Sequence, residues 1–265
     1  YSGDVVVDKG SYQFYPNMRF INKEISYHID SSCGSEKEEN VARAFSILSE
    51  RTVLEFYKGN GESEINILCS NIAPEPEEKN HFIAGEGGPS EIINTTKYSA
   101  ILSGKIALYR DEKCDSPNIA IHEILHVLGF DHNKNPKSIM YPITDCKQEL
   151  DQYIADEINR LYSEDALPDL AVERIVANKT GSYLNFNILI ANYGLSSSKD
   201  AKLVVYADDS KVKEYTLGFI DLGVKKSIIV ENLRVSNSIQ KIAFFIETDE
   251  DELEKGNNVA NSKIV

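Results

Sequence analysis

No run of about 18 apolar residues occurs anywhere in the 265-residue sequence, so no helix in it is expected to span a membrane. Positive charge is also scarce: 28 Lys and Arg stand against 42 Asp and Glu, a formal net charge of -14 with a pI near 4.9. That balance excludes nucleic acid and anionic membrane surfaces as expected partners. No C-x-x-C pair joins Cys33, Cys69, Cys114 and Cys146, which removes the common signature of a structural zinc or a redox motif. An initiator methionine is missing too. The chain opens Tyr1-Ser2-Gly3-Asp4, as expected of a mature protein trimmed of a signal or anchor. The composition, 42% hydrophobic and 26% charged, is that of an ordinary globular protein, and the length favours one large or two ordinary domains.

The most informative stretch runs from Asn118 to Pro142, NIAIHEILHVLGFDHNKNPKSIMYP. It holds His122, Glu123, His126, Gly129 and His132 as H-E-x-x-H-x-x-G-x-x-H, followed by Met140 in Ser138-Ile139-Met140-Tyr141-Pro142. Residues four apart share a helix face, so His122 and His126 can address one ion while Glu123 reaches a water on it. Ile119, Ile121, Ile124, Leu125, Val127 and Leu128 surround them, which describes a buried helix, and a buried helix does not carry such groups unpartnered. Gly129 permits a left-handed turn that brings His132 round as a third ligand. Three neutral histidines leave a fourth tetrahedral position open, the mark of a catalytic zinc, whose bound water has a pKa of ~7. Glu123 would take the proton of that water. The bland alternative is chance, and five fixed positions match by accident in roughly one chain of this length in a hundred thousand.

These residues resemble the metzincin zinc endopeptidases, and the short S-I-M-Y-P turn with G-F-D-H at the third histidine is most similar to the matrixins. The resemblance implies one catalytic Zn2+ held by His122, His126 and His132, a general base at Glu123, a methionine floor at Met140 and a peptide or protein substrate. It also implies an α+β fold with a mixed, mostly parallel twisted sheet and long helices, and an antiparallel edge strand to which substrate adds. The substrate rim is accordingly expected among residues 91 to 109. Tyr141 directly follows the methionine, whereas the astacin-like pattern places its zinc-reaching tyrosine two positions on, so Tyr141 is not assigned as a ligand. Matrixins also carry an acidic, histidine-containing structural metal segment. No matching aspartates follow His81-Phe82 here, so no second zinc is expected and His81 is read as a surface residue. Cys33-Gly34 lacks the proline, arginine and aspartate that flank an inhibitory propeptide cysteine.

Four cysteines allow two disulfides in three pairings. Cys114 and Cys146 bracket the histidine segment, which favours Cys114 with Cys146 and Cys33 with Cys69; the alternative is four buried thiols in a reducing compartment. Two N-x-T sequons, at Asn94 and Asn178, are compatible with export. Together these features point to an extracellular or cell-surface protein.

In chain order, the aromatic lead-in with Tyr12, Phe14 and Tyr15 is expected to pack across the first domain. Ile25 to Ile29 reads as a strand, Ser35 to Lys58 as an amphipathic helix with a Ser35/Glu38 capping box, and Glu64 to Cys69 as a strand, together a parallel unit. Residues 71 to 91 read as loop, Glu91 to Asn94 and Lys105 to Tyr109 as strands, and Gln148 to Tyr162 as a helix. Residues 163 to 168 mark a boundary between expected domains 1–165 and 166–265. Beyond it, 170–177, 183–191, 201–207, 213–217, 226–231, 241–247 and 257–264 read as seven short strands of an all-β immunoglobulin-like sandwich. Pro168-Asp169-Leu170, Asn192-Tyr193-Gly194 and Glu254-Lys-Gly-Asn257-Asn258 are similar to the cell-adhesion-related CARDB domains of prokaryotic surface proteins. That resemblance implies a cell-surface or matrix partner. The acidic run 247 to 254 invites Ca2+ without a supporting motif and reads better as a solvated loop. The expected function is a zinc-dependent endopeptidase. The alternative is a surface adhesion protein retaining zinc for structure, and an intact Glu123 argues against it, since a structural zinc needs no general base.

Overall fold

The computed structural model describes residues 12–75 and 82–263, so His81 and the first part of the lead-in lie outside the described residues. The chain forms two compact units: residues up to Ile92 with Ser99–Glu164, and Ile93–Tyr98 with Asp165–Val265.

The first unit is built on strands β1 (Met18–Phe20), β2 (Glu24–Ile29), β3 (Glu55–Lys58), β4 (Ile65–Cys69), β5 (Gly85–Asn94) and β6 (Ser99–Leu108) with helices α1 (Ser35–Arg51), α2 (Asn118–Val127) and α3 (Gln152–Leu161). The sheet order is β1-β6-β4-β2-β3, every neighbour on that path is parallel, and β5 pairs with β6 off the path. The strand-helix-strand start is thus a parallel unit, as the alternation and helical spacing imply. Val41, Ala44, Phe45 and Leu48 of α1 pack on Ile25, Tyr27, Ile65 and Ile67, with the Tyr27 and Phe45 rings 4.2 Å apart.

α1 stops at Arg51, seven residues short of the expected end at Lys58. The Thr52 N–H and hydroxyl both bond the Leu48 carbonyl, the Val53 N–H bonds Asn159 Oδ1, and residues Glu55 to Lys58, with the aromatic pair Phe56 and Tyr57, pair with β2 as β3. The capping box is also absent: Gly34 is the N-cap and the Ser35 side chain makes no cap bond. α3 begins four residues later than expected. Gln148 is buried and donates to the Pro136 and Ile143 carbonyls, and residues 149 and 137–139 exchange backbone bonds, which draws this segment out straight. The stretch read as loop to residue 91 already forms β5 from Gly85.

Arg19 of β1 is 1% exposed. Its guanidinium donates to the carbonyls of Phe20, Ile21, Leu161 and Glu164 and lies 4.1 Å over the Tyr162 ring. Both disulfides close as favoured, Cys33–Cys69 and Cys114–Cys146, with no free cysteine.

The second unit is all β: β7 (Leu170–Thr180), β8 (Tyr183–Asn192), β9 (Ser198–Ala207), β10 (Ser210–Ile220), β11 (Lys225–Arg234), β12 (Lys241–Glu247) and β13 (Val259–Lys263). Two antiparallel sheets, β10-β9-β12-β13 and β11-β8-β7, enclose one core that includes Leu184, Phe186, Ile188, Leu203, Val205, Ile242 and Phe244. This is an immunoglobulin-like sandwich with all seven expected strands. Asp208 and Asp209 both take positive φ, 43° and 66°, in the β9–β10 hairpin. Asn192 is fully buried and fully used: its Oδ1 accepts from Asp169 and Gly194 N–H groups, and its Nδ2 donates to Ser196 and Ile220 carbonyls. The acidic run is more than a solvated loop. Glu252 accepts from the Leu170 N–H at 2.8 Å and from Asn258 Nδ2, closing the chain end onto β7.

Candidate active site

α2 is apolar on all sides because it is buried on all sides: every residue but Ile119 is buried. Glu112 prepares its start, with Oε2 accepting the Ile119 N–H at 2.9 Å. Gly129, at φ 95°, turns the chain back after Val127. A Cβ there would lie 2.7 Å from Met18 Cγ, so only glycine fits. That turn delivers the Phe130 carbonyl to His126 Nδ1 at 2.7 Å, while the Ile139 carbonyl meets His122 Nδ1 at 2.6 Å. A carbonyl only accepts, so each Nδ1 carries the proton and each Nε2 presents a lone pair.

The structure brings His122, His126 and His132 together. Their Nε2 atoms form a triangle with sides of 3.0, 3.1 and 3.1 Å. Among the described residues this is the group of His, Cys, Asp or Glu side chains able to hold a metal ion. Tetrahedral zinc ligands at ~2.0–2.1 Å from the ion stand about 3.4 Å apart, so the triangle is close to the size the ion demands. Two lone pairs fixed inward at this distance repel unless a cation lies among them, so the donor set fits a zinc ion. Burial, and then the neighbouring imidazoles, pull His122 down to about 4; burial pulls His126 down to about 4 and lowers His132 as well. All three are therefore neutral at neutral pH, as metal ligands must be. Met140, 0% exposed, sits beside Ile139; its N–H bonds Ser138 Oγ and its carbonyl accepts the Asn133 N–H.

Glu123 is 5% exposed and lies beneath β5. A Cβ at Gly85 would come 2.8 Å from Glu123 Cγ, and one at Gly87 would come 2.3 Å from the Glu123 carbonyl oxygen. The Gly87 backbone amide faces the Glu123 carboxyl and favours its charged form. Burial pushes that carboxyl up to about 8, the charge of Glu86 adds to the rise, and the Gly87 amide opposes it. A bound dication would draw it down again. The Tyr109 hydroxyl donates to Glu86 Oε2 at 2.7 Å, which with burial pushes Tyr109 up to about 12. Phe14 stacks on His126, ring centroids 5.8 Å apart, and the Phe14 N–H bonds the Gly129 carbonyl.

A family model described as Matrixin matches residues 19–163, more than half of the chain. The chain belongs to the matrixin family. Matrixins are zinc-dependent peptidases, and the match runs from within β1 through α3, the frame that carries the triad. Among solved structures, the matrixin chain is similar to the CARDB domain of a Pyrococcus furiosus protein, at 19% identity and TM-score 0.34, covering 38% of this chain and 96% of that one. A putative cell surface protein domain from Methanosarcina acetivorans is 14% identical at TM-score 0.31, covering 37% and 90%. High choriolytic enzyme 1, a hatching enzyme zinc-protease from Oryzias latipes (medaka fish), is 18% identical at TM-score 0.28, covering 41% and 44%.

Sequence reasoning did not find Gly85, Glu86, Gly87 or Phe14 in this matrixin's site. The strand that lies on Glu123 passes it at residues 85–87, upstream of the 91–109 window. The available signal was the G-x-G-G spacing, since glycines inside a strand mark close backbone approach.

Proposed function

We propose that this matrixin is an exported zinc endopeptidase, at the cell surface or beyond it, in which His122, His126 and His132 hold the metal, Glu123 is the general base and acid, and Met140 floors the site. The observation that carries the reading is the juxtaposition of three inward Nε2 atoms with a buried glutamate that is itself no ligand. Zinc, when bound, supplies Lewis acidity toward a peptide carbonyl and lowers the pKa of water towards ~7. Glu123 accepts a proton from the attacking water at its carboxylate and passes it to the departing amine nitrogen. The close approach of Gly85 and Gly87 of β5 confines Glu123 while an extended substrate lies along the strand.

The working domains are 1–165, the peptidase, and 166–265, a sandwich that addresses a surface or matrix partner. Two disulfides favour an oxidising compartment, and among the described residues no helix is long and apolar enough to cross a membrane.

The test is zinc content and casein cleavage for wild type beside Glu123→Gln. One zinc in both, with cleavage by wild type alone, is the expected result. A wild type that binds zinc and cuts no unfolded protein, or a Glu123→Gln variant as active as wild type, overturns the reading.

A further inference from the structure

β5 passes Glu123 with three glycines, at 85, 87 and 88, and one charged side chain, Glu86. Strand side chains alternate between faces. Added Cβ atoms at 85 and 87 would both strike Glu123, so Glu86 leaves the strand on the other side. It is exposed, its Oε2 is held by the Tyr109 hydroxyl at 2.7 Å, and its charge is still felt at the Glu123 carboxyl. Among the described residues β5 pairs only with β6, so its second edge has no partner strand among them.

An extended peptide laid on that edge carries every second side chain on the face of Glu86, with opposed Cβ atoms about 4.5–5.5 Å apart. We propose that Glu86 is a specificity residue that selects peptides with Lys or Arg at the position opposite it, close to the bond that is cut. The proposal rests on the peptidase reading. Tyr109 orders the carboxylate before substrate arrives, so little side-chain freedom is lost on pairing. The net charge of -14 favours encounter of the protein with cationic peptides. Glutamine at this position keeps the size and the Tyr109 bond and removes the charge; lysine reverses it.

The experiment is digestion of a peptide library from a denatured proteome by the zinc-loaded full chain, with cut sites read by mass spectrometry. Wild type, Glu86→Gln and Glu86→Lys are compared, with Glu123→Ala as the blank. An exposed charge pair predicts Lys or Arg enriched about two- to fivefold at one position near the cut for wild type. The enrichment disappears in Glu86→Gln and gives way to Asp or Glu in Glu86→Lys. Cuts by wild type with no basic enrichment, or enrichment that survives both substitutions, overturn this inference alone. No cuts above the Glu123→Ala blank overturn the peptidase reading and this one with it.

Discussion

Three glycines of one strand make a graded test of how closely β5 is pressed on α2. At Gly87 an added methyl would lie 2.3 Å from the Glu123 carbonyl oxygen, 2.9 Å from its carbonyl carbon and 3.0 Å from its Cα. Those atoms belong to the backbone of a helix buried on every side and cannot step aside, so strand and helix must part by most of an ångström. Overpacking of this kind costs about 1–3 kcal/mol, a fall in melting temperature of roughly 2–10 °C for a protein of this size. The same movement displaces Glu123 from its place, and a displacement of about 1 Å at the reacting centre costs about a hundredfold in kcat/KM. At Gly85 the methyl meets the Glu123 side chain, 2.8 Å from Cγ, which can swing. Gly85→Ala is therefore expected to lose activity with a smaller loss of stability. At Gly88 nothing lies within 4 Å, so Gly88→Ala leaves the melting temperature unchanged or raises it slightly. Calorimetry and peptide hydrolysis on the three zinc-loaded variants decide the matter. A Gly87→Ala variant that melts with wild type and keeps its kcat/KM within about threefold refutes the packing argument.

Replacing Cys114 and Cys146 together by serine removes a cross-link of sequence separation 32. Loop entropy predicts a loss of about 3–4 kcal/mol in a denaturant titration, and a loss below about 1 kcal/mol contradicts it. Metal removal exposes a pH dependence: in the chelated protein, unfolded histidines take protons below about 6.5, while folded His122 and His126 resist until about 4. The folded values lie below the unfolded ones, so protons favour the unfolded chain. Stability falls as pH drops from 6.5 to 4 and is independent of these two groups above that window. Melting temperatures of chelated wild type and chelated His122→Phe across this window check it, the slope being smaller in the variant; equal slopes contradict it.

The histidines were legible because the chemistry is local: one helical turn, one glycine and one short loop set the triad, and all of them lie within a single contiguous stretch. Phe14, Gly85, Glu86 and Gly87 were not legible, because they reach the site from segments far from the histidines in sequence. The glycine-rich start of β5 reads as loop by composition, and its pairing with β6 and its pressure on α2 override that reading. α1 was overextended because Val53, Leu54 and Phe56 continue a helical apolar spacing; Thr52 ends the helix through its own bonds to the Leu48 carbonyl. Leu150 continues the spacing of α3 backwards in the same way, and the buried amide of Gln148 holds that stretch extended. The seven strands of the second unit were visible in their alternation, and most run beyond it because hairpin hydrogen bonds extend past the apolar residues. The acidic run gave no hint that Glu252 caps the Leu170 N–H, since that partner lies far away in sequence.

Arg19 decides where the catalytic fragment can be cut. Its guanidinium binds carbonyls at both ends of the first unit, Phe20 and Ile21 near the start and Leu161 and Glu164 at the finish. A recombinant fragment that stops short of residue 164 leaves a buried cation with part of its coordination missing, at a point remote in sequence from every histidine of the triad. Insoluble protein from such a fragment would therefore report a badly chosen boundary rather than a failure of the metal site.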